Sequence, residues 1–445
     1  MRKIERRAAV CLLLAFCLFA GLALYCYRFA TQGSDWVTFT ANRHVYAQTG
    51  ELVTGQILDR DGDVLSTVED GKRVFHEDAT VRKATLHAVG DREGNIGTGA
   101  LTAFSDLITG YNPITGSYTA SDTGNDVTLT IDAYLNVKAY QALDGQKGAV
   151  AVYNYKTGEI LCMVSTPTFD PNDPPVISAD DTSMEGAYLN RVLSSTFVPG
   201  SVFKTITLSA ALENLPDLFD RHWTCTGSHS VGGVTVTCPS AHGDLDINSA
   251  YSNSCNYVFA SLAAELGGST MEKYTKQAGL MDSYSVSGIK TAKGTFTLAG
   301  ADKGTVGWAG VGQADDLVNP CAMLVAMGAI ANGGTAAEPH LLLDDETTMT
   351  GQLFQPGTAS VLADMMRANV VNKYGADRFP GMDACAKSGT AEVGGDGRPH
   401  AWFTGFLRDP EHPYAFVVMV QNGGGGSSVA GTVASTVMQA VVDKY

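Results

Sequence analysis

Basic charge is scarce in this chain. Its 445 residues carry 30 Lys+Arg against 46 Asp+Glu, a formal net charge of −16. A protein of that sign repels phosphate backbones, so no nucleic-acid partner is expected. Long apolar runs are scarce too. There is one, which excludes a multi-span membrane protein. Internal repeats and low-complexity tracts are lacking, and the 49 glycines are scattered rather than periodic, which excludes collagen-like and coiled-coil chains. What is not lacking is apolar content. At 44% hydrophobic and 9% aromatic residues the chain can bury a sizeable core, so it is not disordered. Its length fits about two to three domains.

The single apolar run extends from Ala8 to Tyr27 without a charge. At about 1.5 Å per residue it spans roughly 30 Å, one hydrocarbon core. Arg2, Lys3, Arg6 and Arg7 precede it, and Tyr25, Tyr27 and Arg28 close it with interfacial residue types. The run is longer than the apolar region of a cleaved signal peptide. It is therefore expected to be an uncleaved single-pass anchor, with residues 1–7 a cytoplasmic stub, 8–27 the span and the rest outside.

Downstream, Gly55 to Leu65 reads as strand, Asp-Gly turn, strand, and Gly110 to Gly124 as a loop or linker. Val127–Asp132 alternates like a strand, and Ala133–Leu143 has helical spacing. Gly148–Tyr153 and Glu159–Val164 flank a Lys-Thr-Gly turn as nearly continuous apolar strands, the pattern of a sheet covered on both faces. Ala401–Leu407 and Tyr414–Gln421 form a second hairpin, and Val429–Val442 a last helix with Ser427 or Ser428 as cap. Hairpins with a largely helical stretch between them predict an α+β domain with an antiparallel sheet flanked by helices.

Nine cysteines are present. Cys11, Cys17 and Cys26 lie in or beside the apolar run, while Cys162, Cys255, Cys321 and Cys385 sit among apolar or small residues and read as buried thiols. Cys225 and Cys238 bracket a Gly-rich loop. A disulfide between them is the expected arrangement outside the membrane, worth about 3 kcal/mol in the chain-entropy model. Zinc ligation together with His229 and His242, each four residues after one of these cysteines, is the second reading, and free thiols the third.

Three short motifs carry chemistry. In Val198-Pro-Gly-Ser201-Val-Phe-Lys204 the Pro-Gly pair stops one segment, and Phe203, Ile206 and Ala210 continue at helical spacing. Ser201 then starts a helix, and Lys204, three residues on, shares its face. A serine hydroxyl attacks only when something takes its proton, and a lysine kept neutral by burial can. Ser252-Asn-Ser254-Cys-Asn256 offers a hydroxyl and an amide before a second helical run. Ala386-Lys387-Ser388-Gly389-Thr390-Ala391 reads as a strand of small residues beside a ligand. Gly389 allows close approach, Lys387 supplies a cation, and Thr390 a hydroxyl and an N–H suited to a carboxylate or an oxyanion. Each motif alone matches an ordinary cap or turn. The three in this order are specific.

In that order they resemble the Ser-x-x-Lys, Ser-x-Asn and Lys-Ser/Thr-Gly set of the penicillin-binding proteins. Gly148–Asn172, Gly310-Val-Gly-Gln313 and Pro399–Gly405 extend the likeness, and the chain resembles a class B member of the short, PbpA-like type. Ala314, where that family usually has glycine, and Asp61, where it commonly has asparagine, are departures. The resemblance implies a transpeptidase domain over 126–445 and a non-catalytic pedestal or dimerisation-like domain over 28–125. It implies D,D-transpeptidation of peptidoglycan stem peptides through an acyl-enzyme on Ser201, with Lys204 as base. Ser254 and Lys387 would relay a proton, and Asn256 would hold the substrate amide. The N–H groups of Ser201 and Thr390 would form the oxyanion hole, and Ser388, Gly389 and Thr390 would bind the terminal carboxylate. No metal or organic cofactor is implied. β-Lactams would trap the enzyme, and a membrane glycosyltransferase would be its partner at the bacterial cell membrane. A D,D-carboxypeptidase or a catalytically idle scaffold for such a glycosyltransferase are the alternatives. A class A β-lactamase is disfavoured because no Glu-x-x-x-Asn follows Ser254.

Overall fold

A computed structural model describes residues 2–37, 54–109, 111–112, 117–118, 124–176, 182–298, 300–394 and 397–445. The apolar run lies within helix α1 (Arg2–Val37), which continues beyond the expected end at Tyr27. Its Arg6–Phe29 stretch is long and apolar enough to cross a membrane, and none of it is buried against the remainder of the chain.

The strand-turn-strand expected near Gly55 is present as β1 (Ile57–Leu58) and β2 (Val64–Glu69), paired antiparallel, with β3 (Lys72–Phe75) beside β2. The turn is set locally: the Asp59 carboxylate accepts from the N–H groups of Asp61 and Asp63, both at 2.9 Å, and Gly62 takes a φ of 90°. Helix α2 (Ala79–Val89) is capped by Asp78, whose side chain accepts from Thr80 N. Strand β4 (Val127–Thr128) pairs parallel with β1, giving the order β3-β2-β1-β4. The expected division at 125/126 is therefore bridged by a shared sheet. The linker expected from Gly110 to Gly124 falls largely outside the described residues.

Asp132 caps α3 (Ala133–Leu143) through Leu135 N at 3.1 Å. Next come β5 (Gly148–Asn154) and β6 (Ile160–Thr166), α4 (Lys204–Asn214), and four short strands, β7 (Trp223–Cys225), β8 (Ser228–Val231), β9 (Val234–Thr237) and β10 (Gly243–Leu245). Helices α5 (Asn256–Leu266), α6 (Pro320–Ala331) and α7 (Pro356–Asn369) follow, then β11 (Ala384–Ala391), β12 (His400–Leu407), β13 (Tyr414–Val420) and α8 (Gly431–Lys444). The central sheet has the order β11-β12-β13-β5-β6 and is antiparallel throughout. Every residue of β6, β12 and β13 is buried, as continuous apolar strands require. Val150, Val418 and Phe403 face α3 and α8, while Ala151, Val417 and Trp402 face the core containing α4, α5 and α6.

Two expectations change. The last helix begins at Gly431 after a wide turn over Gly426–Ala430, and no side chain caps it, so neither Ser427 nor Ser428 has that role. The region between the hairpins also contains the two ribbons β8–β9 and β7–β10, whose strands of three or four residues are too short for a sustained apolar pattern.

Both departures from the family pattern have structural consequences. Asp61 pairs with Lys444 at 2.5 Å, and Lys444 and Tyr445 also bind Asp132, so the C-terminus fastens the β1–β2 turn to the start of α3. Ala314 adopts a φ of 72°, a left-handed conformation that crowds its Cβ. Ala314→Gly is expected to raise the melting temperature through a gain of up to about 1 kcal/mol, the left-handed strain less the extra backbone entropy of glycine. A lowered melting temperature would show that the strain is absent.

Candidate active site

Ser201 sits in a tight 3-10 turn, Gly200–Phe203, and the α-helix proper starts at Lys204. Positions three apart eclipse one another in such a turn, which aligns the two side chains. Gly200, at φ 57°, donates to Gly312 O at 2.8 Å, and Trp402 Nε1 donates to Val198 O at 3.0 Å, fixing the segment just ahead of Ser201. Gly389 on β11 makes the close approach possible. A Cβ there would stand 2.9 Å from Pro199 O and 3.1 Å from Val202 N.

Lys204 gathers the site. Its Nζ lies 3.0 Å from Ser201 Oγ, 2.6 Å from Ser254 O, 3.1 Å from Ser254 Oγ and 2.7 Å from Asn256 Oδ1. The amide orientation of Asn256 is fixed, because Nδ2 donates to Thr237 O at 2.8 Å and leaves Oδ1 for the lysine. Ser254 O and Asn256 Oδ1 are pure acceptors here and take two N–H bonds. The remaining valence of Nζ faces two hydroxyls. In a neutral amine that valence is a lone pair, which can accept from Ser201.

Ser254 reaches this position through a left-handed backbone, φ 53°, between a short helix and α5. Lys387 Nζ donates to Ser254 Oγ and to Ser388 O, each at 3.0 Å. Ser201, Lys204, Ser254 and Lys387 thus form one continuous chain of polar atoms. Both lysines are wholly buried, and among the described residues neither forms an ion pair with a carboxylate. Burial, only partly opposed by negative charge at Cys255 and Cys238, brings Lys204 down to about 7. Burial, and then the neighbouring Lys204 charge, holds Lys387 well below the ordinary lysine range.

On β11, Ser388 is half-buried and Thr390 exposed, with Thr390 Oγ1 accepting from Gly426 N at 3.2 Å. Tyr374 was not singled out from the sequence. It lies in a π-helical turn after α7, accepts from Ser388 N at 2.9 Å and contacts Ser388 Oγ at 3.0 Å. The adjacent Lys373 donates to Asn253 Oδ1 at 2.6 Å, so this turn touches both the Ser254 loop and β11. A lone tyrosine between helix and loop gave no periodic or motif signal.

The expected Cys225–Cys238 disulfide is not formed. The two Sγ atoms are 3.8 Å apart, against about 2.05 Å for a bond. His229 is also not beside them: its ring stacks on Tyr257 at 3.6 Å and its Nε2 accepts from Thr226 N. His400 is buried against Phe197 and accepts from Asn422 N at 3.1 Å, a packing role.

A family profile described as the penicillin-binding protein transpeptidase domain matches residues 148–439. The peptidoglycan D,D-transpeptidase PbpA of Mycobacterium tuberculosis is 28% identical over 377 residues, 76% of this chain and 74% of that protein. Penicillin-binding protein 3 of Bacillus subtilis is 27% identical over 402 residues, 79% of this chain and 58% of its relative. Among solved structures, penicillin-binding protein A of M. tuberculosis superposes with a TM-score of 0.76 at 24% identity, covering 88% of this chain and 99% of that one. A D,D-transpeptidase domain from Eggerthella lenta gives 0.73 at 25% identity, covering 88% and 98%. The M. tuberculosis protein is also known as acyl-enzyme complexes with imipenem and penicillin G.

Proposed function

The chain belongs to the penicillin-binding protein transpeptidase family, and on that basis we propose that it is a serine D,D-transpeptidase that cross-links peptidoglycan stem peptides and is acylated by β-lactams. The observation that carries the reading is Lys204 Nζ, buried and held by two fixed acceptors, 3.0 Å from Ser201 Oγ.

Lys204 in its neutral form takes the Ser201 proton as Oγ attacks the carbonyl between the two terminal D-alanines. The N–H groups of Ser201 and Thr390 stabilise the developing oxyanion. The C–N bond breaks, the acyl group stays on Ser201, and the proton passes from Lys204 through Ser254 to the departing D-alanine. Lys387 holds the Ser254 hydroxyl in line for that transfer, and Ser388 and Thr390 bind the terminal carboxylate. Asn256 orients Lys204 and receives the substrate amide. An amine of a neighbouring stem peptide then attacks the ester, forms the cross-link and returns Ser201 to its resting state.

Helix α1 has the length and composition of a membrane anchor. The basic residues before it support a cytoplasmic N-terminus and a catalytic domain on the outer side. Residues 28–125 serve as a pedestal, and a membrane glycosyltransferase is the partner that supplies uncross-linked strands.

Partitioning tests the transferase reading. With a D-Ala-D-Ala-ended pentapeptide and an acceptor amine, D-alanine release should be matched by amide product. Release matched only by hydrolysed tetrapeptide would make the enzyme a carboxypeptidase. A pH profile tests the base. The acylating form is neutral Lys204, so the rate constant for penicillin acylation should rise about tenfold per pH unit below about 7 and level off above it. A profile flat from pH 5.5 to 8.5 would contradict Lys204 as the base.

A further inference from the structure

The ribbons that follow α4 are poor candidates for independent stability. Between Trp223 and Leu245 only Cys225, Val231, Val236 and Leu245 are buried. The segment forms two two-stranded ribbons, and isolated ribbons of that size are marginal in water. Those four side chains join the apolar core around α5, and the remainder of the ribbons adds little to it.

Four side chains converge where the ribbons meet α5. Cys225, Cys238, His242 and Cys255 each present one ligand-type atom, and all four atoms lie within 4.8 Å of one another. Cys225 Sγ is 3.8 Å from Cys238 Sγ and 3.5 Å from His242 Nδ1, and Cys238 Sγ is 3.8 Å from Cys255 Sγ. Three of the six edges have the length of those in a zinc-centred tetrahedron, and the other three do not exceed 4.8 Å. Zinc–sulfur bonds of about 2.3 Å give a sulfur–sulfur edge of about 3.8 Å, and a zinc–nitrogen bond of about 2.0 Å gives a mixed edge of about 3.5 Å. Cys225 and Cys255 are buried, with Cys238 and His242 half-buried, leaving a route for an ion to enter.

We infer that Cys225, Cys238, His242 and Cys255 form a structural zinc site that fastens the ribbons to the start of α5. Three thiolates and one imidazole fill a tetrahedral shell, the closed set of a structural rather than a hydrolytic zinc. Binding expels the three thiol protons to solvent. The ligand spacing along the chain is Cys-x12-Cys-x3-His-x12-Cys, so the metal joins β7, the loop after β9 and the α5 N-terminus.

Its placement couples it to the Lys204 environment. Cys255 stands between Ser254 and Asn256, and Cys238 directly follows Thr237, whose carbonyl accepts from Asn256 Nδ2. The metal therefore fixes the chain on both sides of the amide that orients Lys204. It contacts no substrate and takes no part in acyl transfer. Its role is positioning.

The test is elemental analysis of the full-length protein, extracted in detergent with reductant and without chelator. The expected result is one zinc per chain, released by a thiol-binding mercurial and lost in Cys238→Ser and His242→Ala. Those variants can misfold, so cobalt replacement of zinc in the wild-type protein gives a second readout: thiolate-to-cobalt charge-transfer absorption with the strong d–d bands of a tetrahedral site. Zinc well below one per chain together with a Cys225–Cys238 disulfide in the alkylated mass would overturn the assignment, as would cobalt that binds without thiolate absorption. Neither outcome bears on whether Ser201 is acylated, so the site and the enzymatic reading fail separately.

Discussion

Replacing Lys204 with arginine lowers the rate of penicillin acylation by on the order of 10³–10⁴-fold, the upper part of what a positioned base contributes. The side chain is wholly buried and its burial keeps the amine near neutrality, whereas a guanidinium stays charged at any working pH. An arginine also carries five donors into a space where two acceptors and two hydroxyls already saturate the amine. Lys204→Met removes the charge and keeps the length of the stem, so it separates loss of the base from crowding. Both variants should acylate slowly, and the methionine variant should keep a near-wild-type melting temperature. Because Ser201 and Lys204 act as one unit, adding Lys204→Met to Ser201→Ala should cost nothing further. Stopped-flow or quenched acylation measurements decide it, and a loss below tenfold in both single variants would remove Lys204 from the proton transfer.

Gly389→Ala should lower acylation by about 10²-fold, the scale of a roughly 1 Å misplacement of reacting groups. The added Cβ would meet Pro199 O at 2.9 Å and Val202 Cγ1 at 3.0 Å, and backbone on both sides leaves little that can yield. The Ser201 turn and β11 would be pushed apart, separating the nucleophile from the Thr390 N–H. The effect should fall on the acylation rate with Lys204 titration unchanged, so the pH profile keeps its midpoint while its plateau drops. An unaltered plateau would show that the two segments do not define the oxyanion site together.

The parts of this arrangement that were legible in the sequence are those governed by local rules. Nearly continuous apolar runs at 148–153 and 159–164 marked covered strands, and the helical spacing over 133–143 marked α3. The Ser201–Lys204 spacing implied a shared edge whether the first turn was α or 3-10. Contacts made across the chain were not legible. Tyr374 meets Ser388 only because a π-helical turn carries it back over β11. Cys255 was read as a buried thiol because its neighbours are small or apolar, yet its partners lie 13, 17 and 30 residues earlier, in and beside ribbons whose strands of three or four residues give only a weak pattern. His229, a ligand only in the second reading of that loop, stacks on Tyr257 instead.

The central claim is that Ser201 is a nucleophile that retains its acyl group. The most direct measurement is the intact mass of the full-length protein in detergent after incubation with benzylpenicillin, beside Ser201→Ala. A stable increase equal to one opened penicillin, absent from the variant, is the predicted result. No adduct with the drug intact would leave a chain that does not perform acyl transfer. No adduct with the drug consumed would mean rapid hydrolysis, and the protein would be a β-lactamase instead.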